Sequence, residues 1–202
     1  LKTDGTLWAW GRSSNGNTSW QGNTSKSSPT QIPGTTWRSV EYGPFVLATK
    51  TDNTLWAWGY NEWGQLGQNN KTTYSSPRQI PGTDWSAEIA QSSIAAAAIK
   101  TDGTLWSWGY GGPGIFGTNE SGAPYRRSSP VQTPGTNWSQ ITGLSGSSIV
   151  ALKTDGTLWS WGGNTSGELA QNSQGPSNMI SSPTQIPGDW AVTGKMGALK
   201  NA

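Results

Sequence analysis

One string constrains this chain more than any other feature. Lys-Thr-Asp-Gly-Thr-Leu-Trp-Ala-Trp-Gly at Lys2 to Gly11 returns, with small changes, at Lys50 to Gly59, Lys100 to Gly109 and Lys153 to Gly162. A second block, Ser-Ser-Pro-x-Gln-x-Pro-Gly followed closely by tryptophan, recurs around Pro29, Pro77, Pro130 and Pro183, with the tryptophans at Trp37, Trp85, Trp138 and Trp190. Self-similarity at this period marks a repeat architecture, in which one supersecondary unit buries its apolar faces only against copies of itself. The repeats run approximately over 2–49, 50–99, 100–152 and 153–200, and residues 1–202 are expected to form a single repeat domain.

Each block has a local reading. Asp-Gly between Ile149-Val150-Ala151-Leu152 and Leu158-Trp159 is a two-residue hairpin signal, because that turn needs positive φ. In the second copy the pair is Asp52-Asn53, and asparagine is the side-chain-bearing residue best suited to the same conformation. Along Thr-Leu-Trp-Ala-Trp, alternation puts Trp8 and Trp10 on one face and Leu7 and Ala9 on the other, so both faces are apolar. A strand buried on both sides fits a sheet held between neighbouring sheets, and the small residue at Ala9, Ala57, Ser107 or Ser160 lets the next sheet approach. Pro-Gly pairs at Pro33, Pro81, Pro134 and Pro187 are turns before the next strand. The first full unit therefore has strands around Trp37 to Val40, Phe45 to Thr49, Thr54 to Trp58 and Pro77 to Ile80.

Between the two blocks lies a variable loop with a fixed pin. Gly16, Gly64, Gly114 and Gly167 each follow the Trp-Gly glycine by five residues, with Thr18, Leu66, Phe116 and Leu169 two residues later. Ile94 to Ile99 contains four alanines, yet it sits where the other copies have a strand, so strand is expected there against helix propensity. The fold class is all-β: propeller blades of about four antiparallel strands, four repeats, forming part of a larger propeller or a small closed ring.

These motifs, together with Gly-Glu-Leu-Ala or Gly-Gln-Leu-Gly in the loop, resemble the regulator of chromosome condensation repeat, in a non-eukaryotic or viral-type variant. The resemblance covers all 202 residues. It implies a propeller, usually of seven blades, whose sequence repeats are offset from its structural blades. Where the family commonly has a glycine and a histidine before the Ala-Leu strand, this sequence has Gly43-Pro44-Phe45, Ser92-Ser93-Ile94 and Ser147-Ser148-Ile149, with no histidine, and the chain has four repeats. Its exchange-factor activity depends on an insertion and a histone-facing surface that this sequence does not show. Gly197-Ala198-Leu199-Lys200 reads as the first strand of a hairpin whose second strand is missing, and Leu1 begins where a second strand belongs. An excerpt of a longer propeller, or assembly between chains through exposed strand edges, is the expectation; closure of a small ring is the alternative.

Composition narrows the function. Only 12% of residues are charged and the net charge is +2, too weak a field for phosphate backbones, so nucleic acid is not an expected partner. No apolar stretch reaches the ~20 residues of a membrane span, and Leu1-Lys2-Thr3-Asp4 does not open a signal peptide. There is no cysteine and no histidine, which removes thiolate metal sites and the usual general base. Asp4, Asp52, Asp102 and Asp155 are committed to turns, and the glutamates have no repeated partner. No catalytic residue, cofactor or metal is expected.

The binding candidates are aromatic and arginine side chains outside the repeated positions. Trp20 and Trp63 fall in variable loops; Tyr60, Tyr110, Tyr125, Arg126 and Arg127 join them, a chemistry typical of interface hot spots. The alternative is that they fold back over their own loops. Asn-x-Ser/Thr triplets at Asn17, Asn23, Asn70, Asn119, Asn137 and Asn164 are either glycan acceptors or a product of polar loop composition. The leading expectation is a non-catalytic scaffold acting as a structural or adhesive protein-interaction module, extracellular or on a virion surface, with a protein partner or self-assembly. A carbohydrate-binding propeller with a glycan partner and a secreted protein inhibitor of an enzyme are the alternatives.

Overall fold

The computed structural model describes residues 1–13, 16–17, 25–112, 114–119, 126–145, 148–175 and 177–190. Among them every regular element is a strand: β1 (Trp8–Gly11), β2 (Lys26–Gln31), β3 (Trp37–Tyr42), β4 (Phe45–Lys50), β5 (Leu55–Gly59), β6 (Tyr74–Ile80), β7 (Trp85–Gln91), β8 (Ala95–Lys100), β9 (Leu105–Tyr110), β10 (Arg126–Thr133), β11 (Trp138–Ser145), β12 (Ser148–Lys153), β13 (Leu158–Gly162) and β14 (Ile180–Ile186). They form antiparallel meanders β3-β4-β5-β6, β7-β8-β9-β10 and β11-β12-β13-β14, preceded by the pair β1-β2. These are propeller blades, and each begins at the tryptophan after a Pro-Gly turn, within a sequence repeat and not at its start. The alanine run of β8 is a strand because both its neighbours in the sheet are strands that pair with it.

Period two decides which face meets which neighbour. Phe45, Leu47, Leu55 and Ala57 point forward and pack with Trp85, Ala96, Ala98 and Trp108 of the following blade. Ala95, Ala97, Ile99 and Leu105 do the same toward Trp138, Ile149, Ala151 and Trp161. Each blade thus offers an aliphatic face forward and a tryptophan face backward, and the small Ala57 or Ser107 leaves room for the indoles. β7 lies against β3 and β4 on one side and β11 on the other, so the strands that follow Pro-Gly gather at the inner edges of the blades. Pro77, Pro130 and Pro183 fall on β6, β10 and β14, the opposite edge strands, where a missing N–H denies a template to any added strand.

The hairpin turns carry a side-chain relay. Asp102 Oδ1 accepts from the Thr104 amide at 2.9 Å and from its hydroxyl at 2.7 Å, and Thr104 Oγ1 in turn accepts from Trp106 Nε1 at 2.9 Å. Lys100 Nζ stands 4.7 Å above the Trp106 ring and 5.0 Å from Trp85. The same Asp-Thr-Trp arrangement recurs at Asp4, Asp52 and Asp155. Each turn also fixes the next blade: the Trp37, Trp85 and Trp138 amides donate to the carbonyls of Gly5, Asn53 and Gly103. Asn53 has φ 61° and Gly103 φ 78°, the shared conformation that the Asp-Asn substitution predicts.

The relay sets a pH response. The Thr104 hydroxyl, then its amide, holds Asp102 below the ordinary 3.8, and the other three turn aspartates are lowered with their threonine hydroxyls as the first cause. A carboxylate whose pKa is lower in the folded state contributes stability that is complete above the unfolded value and is lost as pH falls through the folded one. That contribution is therefore expected to be constant from neutrality down to about pH 4 and to disappear only below it. In a carboxyl-carbon NMR titration, Thr104→Val should raise the Asp102 midpoint. An unmoved midpoint would show that the hydroxyl is not the cause.

Candidate binding surface

Three sequence-predicted residues come together across a blade junction. Arg126 on β10 and Tyr110 on β9 are cross-strand partners, so their side chains share a face. Trp63 reaches them from the loop of the preceding blade: its ring lies 4.8 Å from Tyr110 at a 52° tilt, and the Arg126 guanidinium sits 4.3 Å above its centre. Trp63 and Tyr110 are half-buried and Arg126 is exposed. A guanidinium over an indole at this range is a favourable cation–π contact, and it holds the three side chains in place before any partner arrives.

What aims Trp63 is the loop beneath it. Asn61, fully buried, donates to the Asn70 and Thr72 carbonyls and accepts from the Leu66 amide at 2.9 Å. Gln65 Oε1 accepts from the Trp63 amide at 2.9 Å, and the Gln65 carbonyl takes the Trp108 indole N–H at 2.8 Å. A Cβ on Gly64 would stand 2.7 Å from Ser128 Cα, so the loop touches the next blade there. Asn164 repeats the pin, donating to Ser173 and accepting from Leu169.

Tyr60 lies at the start of the same loop, donating to Glu62 Oε2 at 2.5 Å. That bond, then desolvation and the Glu62 charge, raises its pKa. Arg127 alternates to the other face of β10 and is half-buried. Trp20 and Tyr125 lie outside the described residues, as does the expected end strand at Ala198 to Lys200. Of the Asn-x-Ser/Thr sites, Asn17 and Asn164 are buried structural residues, and Asn17 donates to the Gly43 carbonyl at 2.9 Å, which leaves no room for a glycan. The tryptophans assigned to the core are buried or half-buried except Trp10 and Trp190, which are 61% and 42% exposed.

Sequence reasoning missed a cleft of about 320 Å³ at the same blade junction. It is lined by Gln68 and Asn69 of the first blade's loop, by Lys100 and Trp106 of the second blade, and by Ser129 and Pro130 of β10. Lys100 Nζ is 3.1 Å from Asp84 Oδ2. A loop, a turn and four strands build the cleft. The signal in sequence was Asp84, an acidic residue where the corresponding turns have Thr36, Asn137 and Asp189.

Residues 52–95 match the model of the Regulator of chromosome condensation (RCC1) repeat. No curated protein matches the sequence. Among solved structures, human WBSCR16 superposes with a TM-score of 0.80 at 26% identity, over 98% of this chain and 52% of its own. Prp20p from Saccharomyces cerevisiae, described with its binding properties to Gsp1p and histones, gives 0.75 at 20% identity over 91% of this chain and 46% of its own. Yeast RCC1 (Prp20) bound to Kap60 gives 0.73 at 19% over 91% and 45%. The chain spans about half the length of these structures. Residues 52–95 thus carry a match to the regulator of chromosome condensation repeat, and the chain around them has the β-propeller fold of these structures.

Proposed function

We propose that the chain is a non-catalytic protein-interaction module whose contact surface centres on Trp63, Tyr110 and Arg126. The observation that carries this is the preassembled cluster itself: two half-exposed aromatic rings and an exposed arginine, from two blades, on a buried and hydrogen-bonded loop. Residues of these types, fixed before binding, are those that dominate protein interfaces. The turn aspartates, which an enzyme would need free, are engaged by threonines. The chain's propeller relatives favour a binding role, and its Ser-, Thr-, Asn- and Gly-rich composition is the basis for placing it outside a cell or on a particle surface.

Panning a phage-displayed library of random peptides against the whole chain tests this. Selected peptides are expected to lose at least about tenfold in affinity (~1.4 kcal/mol) for Trp63→Ala and for Arg126→Ala, while both variants keep the parent's Tm. Peptides that bind all three proteins alike would place the contact surface elsewhere.

A further inference from the structure

The cleft between the β3–β6 and β7–β10 blades lies apart from that cluster in its chemistry. Its walls are fixed without a ligand: the Asn69 amide donates to the Ser128 carbonyl at 2.7 Å, and the Ser129 hydroxyl donates to Asn69 Oδ1 at 3.3 Å. Its aromatic side is Trp106, half-buried, tied by its N–H to Thr104 and braced edge-on by Trp85 at 6.4 Å. Lys100 Nζ stands 4.7 Å over the ring as well, and a ring so fixed makes contact at little cost in side-chain entropy.

Charge and polarity then restrict the ligand. The Lys100 cation is met by the Asp84 carboxylate, the one salt bridge among the described residues. At the next junction Asn137 stands where Asp84 does, opposite Lys153, so the neutralised pair distinguishes this cleft. Lys100 is the charged residue that lines the cleft, and with Asp84 already neutralising it neither an anionic nor a cationic ligand gains. Gln68 Nε2 is occupied by the Gln79 carbonyl at 3.0 Å, which leaves Gln68 Oε1 as an acceptor. Asn69 Oδ1 is occupied by Ser129, which leaves Asn69 Nδ2 as a donor. One acceptor and one donor side by side suit a group that does both, and a hydroxyl is such a group. A proline-rich segment, the other common occupant of a cleft walled by tryptophan and proline, offers carbonyls but no N–H from its prolines, and would leave Gln68 Oε1 unpaired. The volume is at the small end of ligand sites, about 300–1,000 Å³, and has room for one ring.

We infer that this cleft binds a single neutral pyranose ring of a saccharide, its apolar C–H face against Trp106 and its hydroxyls on Gln68 and Asn69. The probes are a panel of neutral methyl pyranosides (gluco, manno and galacto, both anomers) with the whole chain, followed by saturation-transfer NMR and by the Trp106 indole N–H resonance. At least one glycoside is expected to bind with a Kd on the order of millimolar and to shift that resonance. Asn69→Gly keeps a residue suited to φ 55° and removes the amide; it and Gln68→Ala should each weaken binding at least about fivefold at unchanged Tm. Three results would overturn the assignment: no glycoside binding, binding indifferent to both variants, or binding of sulfated or sialylated sugars or of a polyproline peptide without any neutral glycoside.

Discussion

Replacing Trp108 by alanine should cost about 3–5 kcal/mol, the range for emptying a large aromatic from a core. Its side chain is fully buried and lies 6.2 Å from Trp85 at 61°. It fills the space against Phe45, Leu47, Ala57 and Leu66 of the preceding blade. Truncation removes that packing and also strands the Gln65 carbonyl, which the indole N–H reaches at 2.8 Å inside the loop that carries Trp63. In a stack of repeats the loss concentrates at one junction. Amide exchange should therefore accelerate first in β5, β7 and β9. Urea denaturation measures the total, with Trp63→Ala as a control expected to cost less than about 1 kcal/mol, since that ring is half-exposed. A Trp108→Ala loss no larger than the control's would mean that the blades do not interlock through this residue.

Much of the fold was legible because each strand carries its own signals. Asp-Gly and Asp-Asn named the hairpin turns, Pro-Gly named the turn into β3, β7 and β11, and alternation showed that Trp56 and Trp58 share one face while Leu55 and Ala57 share the other. Position within the repeat placed β8 correctly, against the helix preference of its alanines. Periodicity says which residues share a face but not what they meet. The stacking of the Lys50 ammonium between Trp37 and Trp56, and the reach of each Trp58-type indole into the preceding loop, depend on how neighbouring blades are rotated and spaced. Thr36 and Asn137, both at φ 64°, show that the turn before β3 and β11 needs a left-handed residue, a demand that the differing residues there concealed.

The candidate surface was legible as a list of residues and not as an arrangement. Arg126 meets Tyr110 only through the register of β9 and β10, which a loop of variable sequence separates. Trp63 joins them only because Gly64 and Asn61 press its loop onto the next blade. Asn61 and Asn164 are the same residue type at the same distance after Trp-Gly, a signal that the polar composition of these loops conceals. The third repeat has Gly111 there; a Cβ on it would stand 1.8 Å from Ile115 Cγ2, so its loop closes by direct packing. The cleft at Trp106 escaped because its residues come from a loop, a turn and four strands, and Trp106 reads from sequence as core.

Gly109→Ala should be about as damaging as the loss of Trp108, by a different route. Gly109 has φ 99°, where a side chain costs on the order of 1–3 kcal/mol. Its Cβ would stand 2.5 Å from the Ile94 carbonyl oxygen and 2.8 Å from Ala95 Cα, both backbone atoms that cannot rotate away. The strands must part, which adds about 1–3 kcal/mol of overpacking and breaks the bond from the Tyr110 amide to that same carbonyl, 2.8 Å in length. Gly156→Ala separates the two costs. Gly156 has φ 83°, but the nearest atom to its Cβ is the Trp190 carbonyl oxygen at 3.7 Å, so only the conformational term applies. Thermal denaturation of the two variants should therefore show a clearly larger fall in Tm for Gly109→Ala, and with it a displaced Tyr110 and weaker peptide binding at the Trp63 cluster. Equal falls would mean that β8 and β9 are not pressed together at this glycine, and that the orientation of Tyr110 is set by something other than their contact.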